Sequence, residues 1–486
     1  MGREQMVLLK NNGILPLSSD AKNIMVMGPN AADSTMMWGI YYGQPGHTVT
    51  ALEGLNARTG RKLPYSRACA VTQMTDRESV FGSLTDSKGR QGMEAAYWNN
   101  TTMEGKPVVE TIYTAPIQLD NGGNTVFAPG VNLTNFTTSI KGSYVADRDE
   151  TLNMVYNNDD GLRIIINGDT VHNRWKTDPL GFREREFKVK KGQKYDIQVD
   201  YMQLEDDATL NFDILRTREV TPADAVAQAK DAEVVIFVGG ISPAYEREEA
   251  KVREPGFDDG DRTSIELPAP QREIIRALHE AGKKIVLVNC SGSAVALTPE
   301  NEICDAILQA WYPGEQGGHA IADVLFGDYN PSGKLPVTFY KDDSQLPGFD
   351  DYLMAGRTYR YMKQEPLYQF GHGLSYTTFD ISKPTYKNDK VKVRVKNTGK
   401  REGTEIVQVY MRRPADTAGP NKTLRGYARV DLAPGESKDV EIDFPRNLFE
   451  NWDEAAQEMR VVPGEYELMV GSSSAAKDLK TIKVKI

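Results

Sequence analysis

The sequence predicts a multidomain protein: a mostly parallel α/β sandwich with helices on both faces, interrupted by an all-β insert and followed by a β-sandwich. Three observations predict it. Short apolar runs that end in turn residues alternate with amphipathic helical stretches on both sides of a central segment. That segment carries strands and turns alone. The C-terminal part returns to strict period-two alternation. The expected boundaries are 1–84 and 218–345 for the α/β domain, 85–217 for the insert, 346–375 for a linker and 376–486 for the last sandwich.

The elements follow in order. Met6 to Lys10 continues a helical pattern that Asn11-Asn12-Gly13 breaks, and Asn23 to Met27 is a short strand ending at Gly28-Pro29. In the insert, Leu162 to Ile166 leads into Asn167-Gly168, a hairpin signal because both residues tolerate positive φ. After Pro222 a helix from Ala223 to Ala232 precedes the apolar run Val234-Val235-Ile236-Phe237-Val238. A helix beginning near Pro268 places Ile274, Ile275 and Leu278 on one face, and strand Lys284 to Asn289 follows. Strand Ala306 to Ala310 and a helix from Gln316 to Phe326 complete the domain. Lys390 to Val395, Ile406 to Met411 and Tyr466 to Val470 alternate as half-buried strands of an immunoglobulin or fibronectin type sandwich. Without a cysteine pair, the fibronectin type fits better.

Composition narrows the function. The chain has 486 residues, 40% apolar and 26% charged, as ordinary globular proteins do. A net charge of −10 argues against a nucleic-acid partner, and no run of apolar residues is long enough to span a membrane. The opening residues lack the apolar core and cleavage site of a secretory signal. Cys69, Cys290 and Cys304 are far apart and odd in number, so neither a disulfide framework nor a zinc site is expected. His47, His172, His319 and His372 show no ligand spacing, and neither a metal nor a cofactor is expected.

The chemistry concentrates after the strand that ends at Gly239-Gly240. There Glu246-Arg247-Glu248-Glu249 and then Asp261-Arg262 fill a loop at the carboxyl end of a strand, where open α/β sheets bind ligands. Crowded carboxylates repel one another, and one can become a proton donor near neutral pH.

Longer motifs carry a family resemblance. Val7 to Leu17, Gly28-Pro29-Asn30-Ala31, Gln309 to Gly318, Ala322 to Pro336 and Leu367 to Phe379 resemble glycoside hydrolase family 3, from its second domain through to its fibronectin type III-like domain. The insert resembles a PA14 module, through Asn158-Asp159-Asp160-Gly161 and Gly192-Gln193-Lys194-Tyr195. The resemblance covers nearly the whole chain and implies a retaining β-glycosidase of β-glucosidase or β-xylosidase type. In that family a (β/α)8 barrel supplies the nucleophilic Asp. No Ser-Asp-Trp or Ser-Asp-Tyr tripeptide of that kind occurs here, so the barrel is expected to be absent and this chain alone inactive.

The family's general acid/base maps onto Glu248, with Glu246 and Glu249 as alternatives, because Glu249 stands where the family's motif has glycine. Asp261 and Arg262 are expected to support the loop through an Arg–carboxylate pair. Trp311, Tyr312 and Glu315 are candidates for lining the sugar pocket, and Trp38, Tyr41 and Tyr42 are weaker ones. Asp159-Asp160 matches the calcium-binding position of PA14 lectins and also a plain turn. The expected partners are a β-linked oligosaccharide and the barrel half, with self-association left open. Location outside the cytoplasm, periplasmic or secreted, is expected from the substrate alone. The competing reading is a non-catalytic carbohydrate-binding protein that uses the PA14-like and fibronectin-like modules.

Overall fold

The structure, a computed structural model, describes the chain except residues 19–20, 40–44, 46, 122–124, 178–180 and 247–251 and the side chain of Phe182. It divides into two compact units, Met1–Met74 with Val220–Ile486, and Thr75–Glu219.

The first unit is built on a six-stranded sheet. Its strands are β1 (Val7–Asn11), β2 (Ile24–Met27), β3 (Tyr65–Ser66), β4 (Val234–Gly240), β5 (Lys284–Cys290) and β6 (Ala306–Gln309). They lie in the order β1-β6-β5-β4-β2-β3, parallel throughout except for β1, which runs antiparallel on β6 with Val7 opposite Gln309. The strands are apolar on both sides because both faces are covered. Ile236 and Val238 of β4 join one core, and Val235 and Phe237 join the other.

Helices α1 (Ala51–Thr59) and α5 (Gly317–Phe326) cover the first face. On the second lie α2 (Pro222–Gln228), α3 (Ala269–Glu280) and α4 (Thr298–Ile303). Capping boxes start two of them: Thr50 with Glu53 for α1, and Thr221 with Asp224 for α2.

One expectation is overturned. Met6 to Lys10 is not helical; a short helix at Gly2–Gln5 gives way to strand β1. Met6 and Leu8 enter one core while Val7 and Leu9 enter the other, a period of two that an unbroken apolar run conceals.

The fibronectin-like sandwich of this unit has two four-stranded sheets. Lys390–Asn397 sends Val391, Val393 and Val395 inward, against Val407, Val409, Leu468 and Val470 of the facing sheet. A largely buried ion pair, Lys334 Nζ to Glu405 Oε1 at 2.9 Å, ties the sandwich to the α/β domain, with Gln408 Nε2 donating to the Gly371 carbonyl at 3.1 Å.

The second unit is a two-sheet β structure, one sheet of six strands and one of five, around Tyr97, Phe136, Leu152, Met154, Tyr201 and Phe212. Thr75–Ser79 pairs with the end of Thr209–Glu219, so the unit's first strand lies ahead of residue 85. Asn167 and Gly168, with φ of 51° and 88°, form the hairpin turn between Gly161–Ile166 and Asp169–Arg174. The Asp160 carboxylate accepts the Leu204 N–H at 2.7 Å, and burial followed by Asp160 raises the Asp159 pKa. Among the described residues no cluster of three or more His, Cys, Asp and Glu side chains is arranged to hold a metal ion.

The Lys334–Glu405 pair gives a stability prediction. Glu405→Leu strands a buried ammonium and should cost about 3 kcal/mol or more, part of which Lys334→Met restores in the double variant. Urea unfolding of the three variants checks it; a single substitution with no measurable cost contradicts it.

Candidate active site

Strand order reverses between β2 and β4: the chain moves outward from β2 to β3, and later from β4 to β5 and β6 on the other side. The crevice at such a reversal, beyond the carboxyl ends of the strands, is where open α/β sheets bind ligands. Asn30, just past β2, and the segment Ile241 to Glu246, just past β4, meet there. Asn30 Nδ2 donates to the Ile241 carbonyl at 3.0 Å, and its buried Oδ1 has no partner among the described residues.

β4 ends under tight constraint. Gly240 has φ of +115°, and a Cβ there would lie 2.1 Å from the Cys290 carbonyl oxygen of β5. Its N–H and C=O are both held by the fully buried Gln271 of α3, whose amide also donates to the Val71 carbonyl. Sequence reading missed Gln271; its one signal was a lone amide on the apolar face of a predicted helix.

From there the segment after β4 crosses toward the ends of β5 and β6. Glu246 is held by both. Ser293 Oγ donates to its Oε1 at 2.8 Å, and the Tyr312 hydroxyl donates to its Oε2 at 2.7 Å. Burial first, and then Glu246, pushes the Tyr312 phenol well above its usual pKa, so it stays a donor. Below them lies a second buried polar layer, in which Asn289 and Gln309 share Ser291.

Arg262 completes the group. Its Nη1 donates to Ser293 Oγ at 3.1 Å and to the Ala294 carbonyl at 2.8 Å, and its Nε donates to the Ser264 carbonyl at 3.2 Å. Burial pulls the Arg262 pKa down against the charge of Glu246, and its buried Nη2 has no partner among the described residues. The Arg262 partners are thus carbonyls and a hydroxyl rather than the expected carboxylate. Carbonyl oxygens of a turn are fixed in place and can satisfy a fork donor without a second charge. Asp261 is exposed and pairs through its backbone with Asp258.

The remaining candidates separate. Trp311, at φ of 60°, turns the chain after β6; its indole N–H donates to the Gln5 carbonyl at 3.0 Å and its ring stands edge-on to Phe339. Glu315 is exposed and accepts the His47 N–H at 3.1 Å. Trp38 donates to Thr48 Oγ1 at 2.7 Å. Glu248 and Glu249, and likewise Tyr41 and Tyr42, lie outside the described residues. Sequence reading did not single out Ser293, whose only signal was a Ser-Gly-Ser turn after an apolar strand.

Known proteins resemble this chain in sequence and fold. The family model for the glycosyl hydrolase family 3 C-terminal domain matches residues 6–376. This chain belongs to glycosyl hydrolase family 3. A fibronectin type III-like domain model matches residues 405–474. Among curated relatives, a xylan 1,4-beta-xylosidase of Xylanibacter ruminicola is 43% identical over all of this chain and 57% of its own length. A beta-glucosidase of Rhizobium radiobacter is 29% identical over 98% of this chain and 60% of its own. The crystal structure of a Kluyveromyces marxianus beta-glucosidase in complex with glucose is similar over 99% of this chain and 60% of that one, with a TM-score of 0.71 and 27% identity. The family 3 chain described here therefore spans about three-fifths of the length of these relatives.

The clamp at Gly240 is testable. Gln271→Leu keeps the volume of the side chain but leaves three buried backbone groups unpaired, which should cost about 2–4 kcal/mol. Thermal unfolding checks it, and an unchanged midpoint contradicts the clamp.

Proposed function

We propose that this chain is the part of a retaining, exo-acting β-glycosidase that supplies the general acid/base and one wall of the pocket, acting on terminal β-linked sugars as β-xylosidases and β-glucosidases do. One observation carries the reading: an acidic loop leaves the central strand of a family 3 sheet at the reversal of strand order, where ligands of such sheets bind. The names of the relatives, a xylan 1,4-beta-xylosidase and a beta-glucosidase, agree with it.

Retention needs two carboxyl groups about 5–5.5 Å apart. One attacks the anomeric carbon and the aglycone oxygen leaves with a proton from the other. That second group, as carboxylate, then takes a proton from the water that releases the sugar. By the family resemblance the nucleophile is proposed to belong to a (β/α)8 barrel, and the proton donor to be Glu248. Tyr312 and Glu315 are proposed to border the sugar site. The unit Thr75–Glu219, which resembles a PA14 module in sequence, is proposed to add glycan contacts.

The test is Glu248→Gln in this chain joined to a barrel half. Loss of the acid should cut kcat/KM for poor leaving groups by about 10²–10⁴-fold and spare dinitrophenyl glycosides, whose leaving group needs no proton. Equal loss on both classes contradicts the acid role.

A further inference from the structure

We infer that Glu246 is a positioning residue, a fixed anion that locks Tyr312 and Ser293 together, and not the proton donor. This rests on the glycosidase reading above and divides the labour among the three Glu side chains that the sequence left open.

Three chain segments converge on one carboxylate. Glu246 follows β4, Ser293 follows β5 and Tyr312 follows β6. Each Glu246 oxygen accepts a hydroxyl, from Ser293 at 2.8 Å and from Tyr312 at 2.7 Å. A general acid needs an oxygen whose proton points at the leaving group, so a carboxylate with both oxygens already receiving donors is poorly arranged for that task. Two hydroxyl donors, one of them itself held by a guanidinium, instead fix the carboxylate in one orientation. Arg262 supplies the guanidinium, one step removed, through the Ser293 hydroxyl at 3.1 Å.

The packing around the carboxylate is tight. A Cβ on Gly292 would sit 2.9 Å from Tyr312 Cε2 and 3.2 Å from Glu246 Oε2. The backbone turn between Ser291 and Ser293 therefore lies flush against both partners, and only glycine leaves them in place. Trp311 aims Tyr312 from the other side. Its left-handed backbone is held by the indole bond to Gln5 and the ring contact with Phe339. A carboxylate held by two hydroxyls fixes the chain at residue 246, and Glu248 follows two residues later in sequence.

The experiment has two arms. In the first, Glu246→Gln, Tyr312→Phe and Glu248→Gln are assayed in this chain paired with a barrel half, on glycosides with good and poor leaving groups. The expected result is that Glu246→Gln and Tyr312→Phe each lower kcat by about 10–100-fold, the range seen when supporting partners of reacting groups are removed. The loss is alike for both leaving groups and the alkaline limb of the pH–rate profile is kept. The double variant should be no worse than the poorer single one, since both break one link. Azide, which replaces the water that needs a general base, should rescue Glu248→Ala and not Glu246→Ala. Loss of the alkaline limb in Glu246→Gln, or azide rescue of Glu246→Ala, would overturn the inference and make Glu246 the acid/base.

The second arm needs no turnover. Hydrogen exchange of this chain alone should quicken in segments 241–246 and 291–294 in both Tyr312→Phe and Glu246→Gln. Unchanged exchange in both variants would overturn the lock. If the wild-type pair cleaves no glycoside, the glycosidase reading fails while the exchange arm still decides the lock.

Discussion

The candidate site depends on how the central strand ends. At Gly240 the backbone passes so close to the Cys290 carbonyl that no side chain fits, and the Gln271 amide takes up both backbone groups of the glycine. An exit pinned in this way leaves the chain one direction, over the ends of the neighbouring strands. The Ile241 N–H bonds the Cys290 carbonyl at 2.9 Å on the way. Past this exit, the hydroxyls of Ser293 and Tyr312 reach Glu246.

Around that point the family 3 frame separates stiffness from chemistry. The sheet is apolar on both faces and covered by helices on each, so its position is set by packing. The polar residues sit at the carboxyl edge in layers: Asn289, Ser291 and Gln309 beneath, Glu246, Ser293, Tyr312 and Arg262 above. Each layer satisfies most of its own donors. Among the described residues, one donor, the Arg262 Nη2, and two acceptors, the Asn30 and Asn289 Oδ1 atoms, stay unpaired at this same edge. The fibronectin-like sandwich is attached from the side through Lys334 and Glu405.

Much of this was legible in the sequence because the signals are local. Strands β4 and β5 announce themselves as apolar runs ending at turn residues, and Lys390–Asn397 alternates without a break. Asn167-Gly168 predicts its hairpin because both residues take positive φ. The failures are equally physical. The run Met6 to Leu9 is apolar at every position, so periodicity could not tell a two-sided strand from a helix. Thr75–Ser79 is a polar strand whose pairing partner lies at 215–219, too far along the chain to leave a local trace. The site suffers most from distance. Ser293 and Tyr312 are 47 and 66 residues from Glu246, and nothing in the acidic motif names them. Arg262 was expected to pair with a carboxylate, but its partners are two backbone carbonyls and the Ser293 hydroxyl, which no residue pattern encodes.

The most direct measurement is turnover of a panel of nitrophenyl β-glycosides (xyloside, glucoside, arabinoside and N-acetylglucosaminide) by this chain alone and by the chain mixed with a separately made barrel half. The account predicts that the chain alone is inert and that the mixture cleaves one or two of the sugars. Turnover by the chain alone would show that it carries its own nucleophile and contradict the division of the active site proposed here.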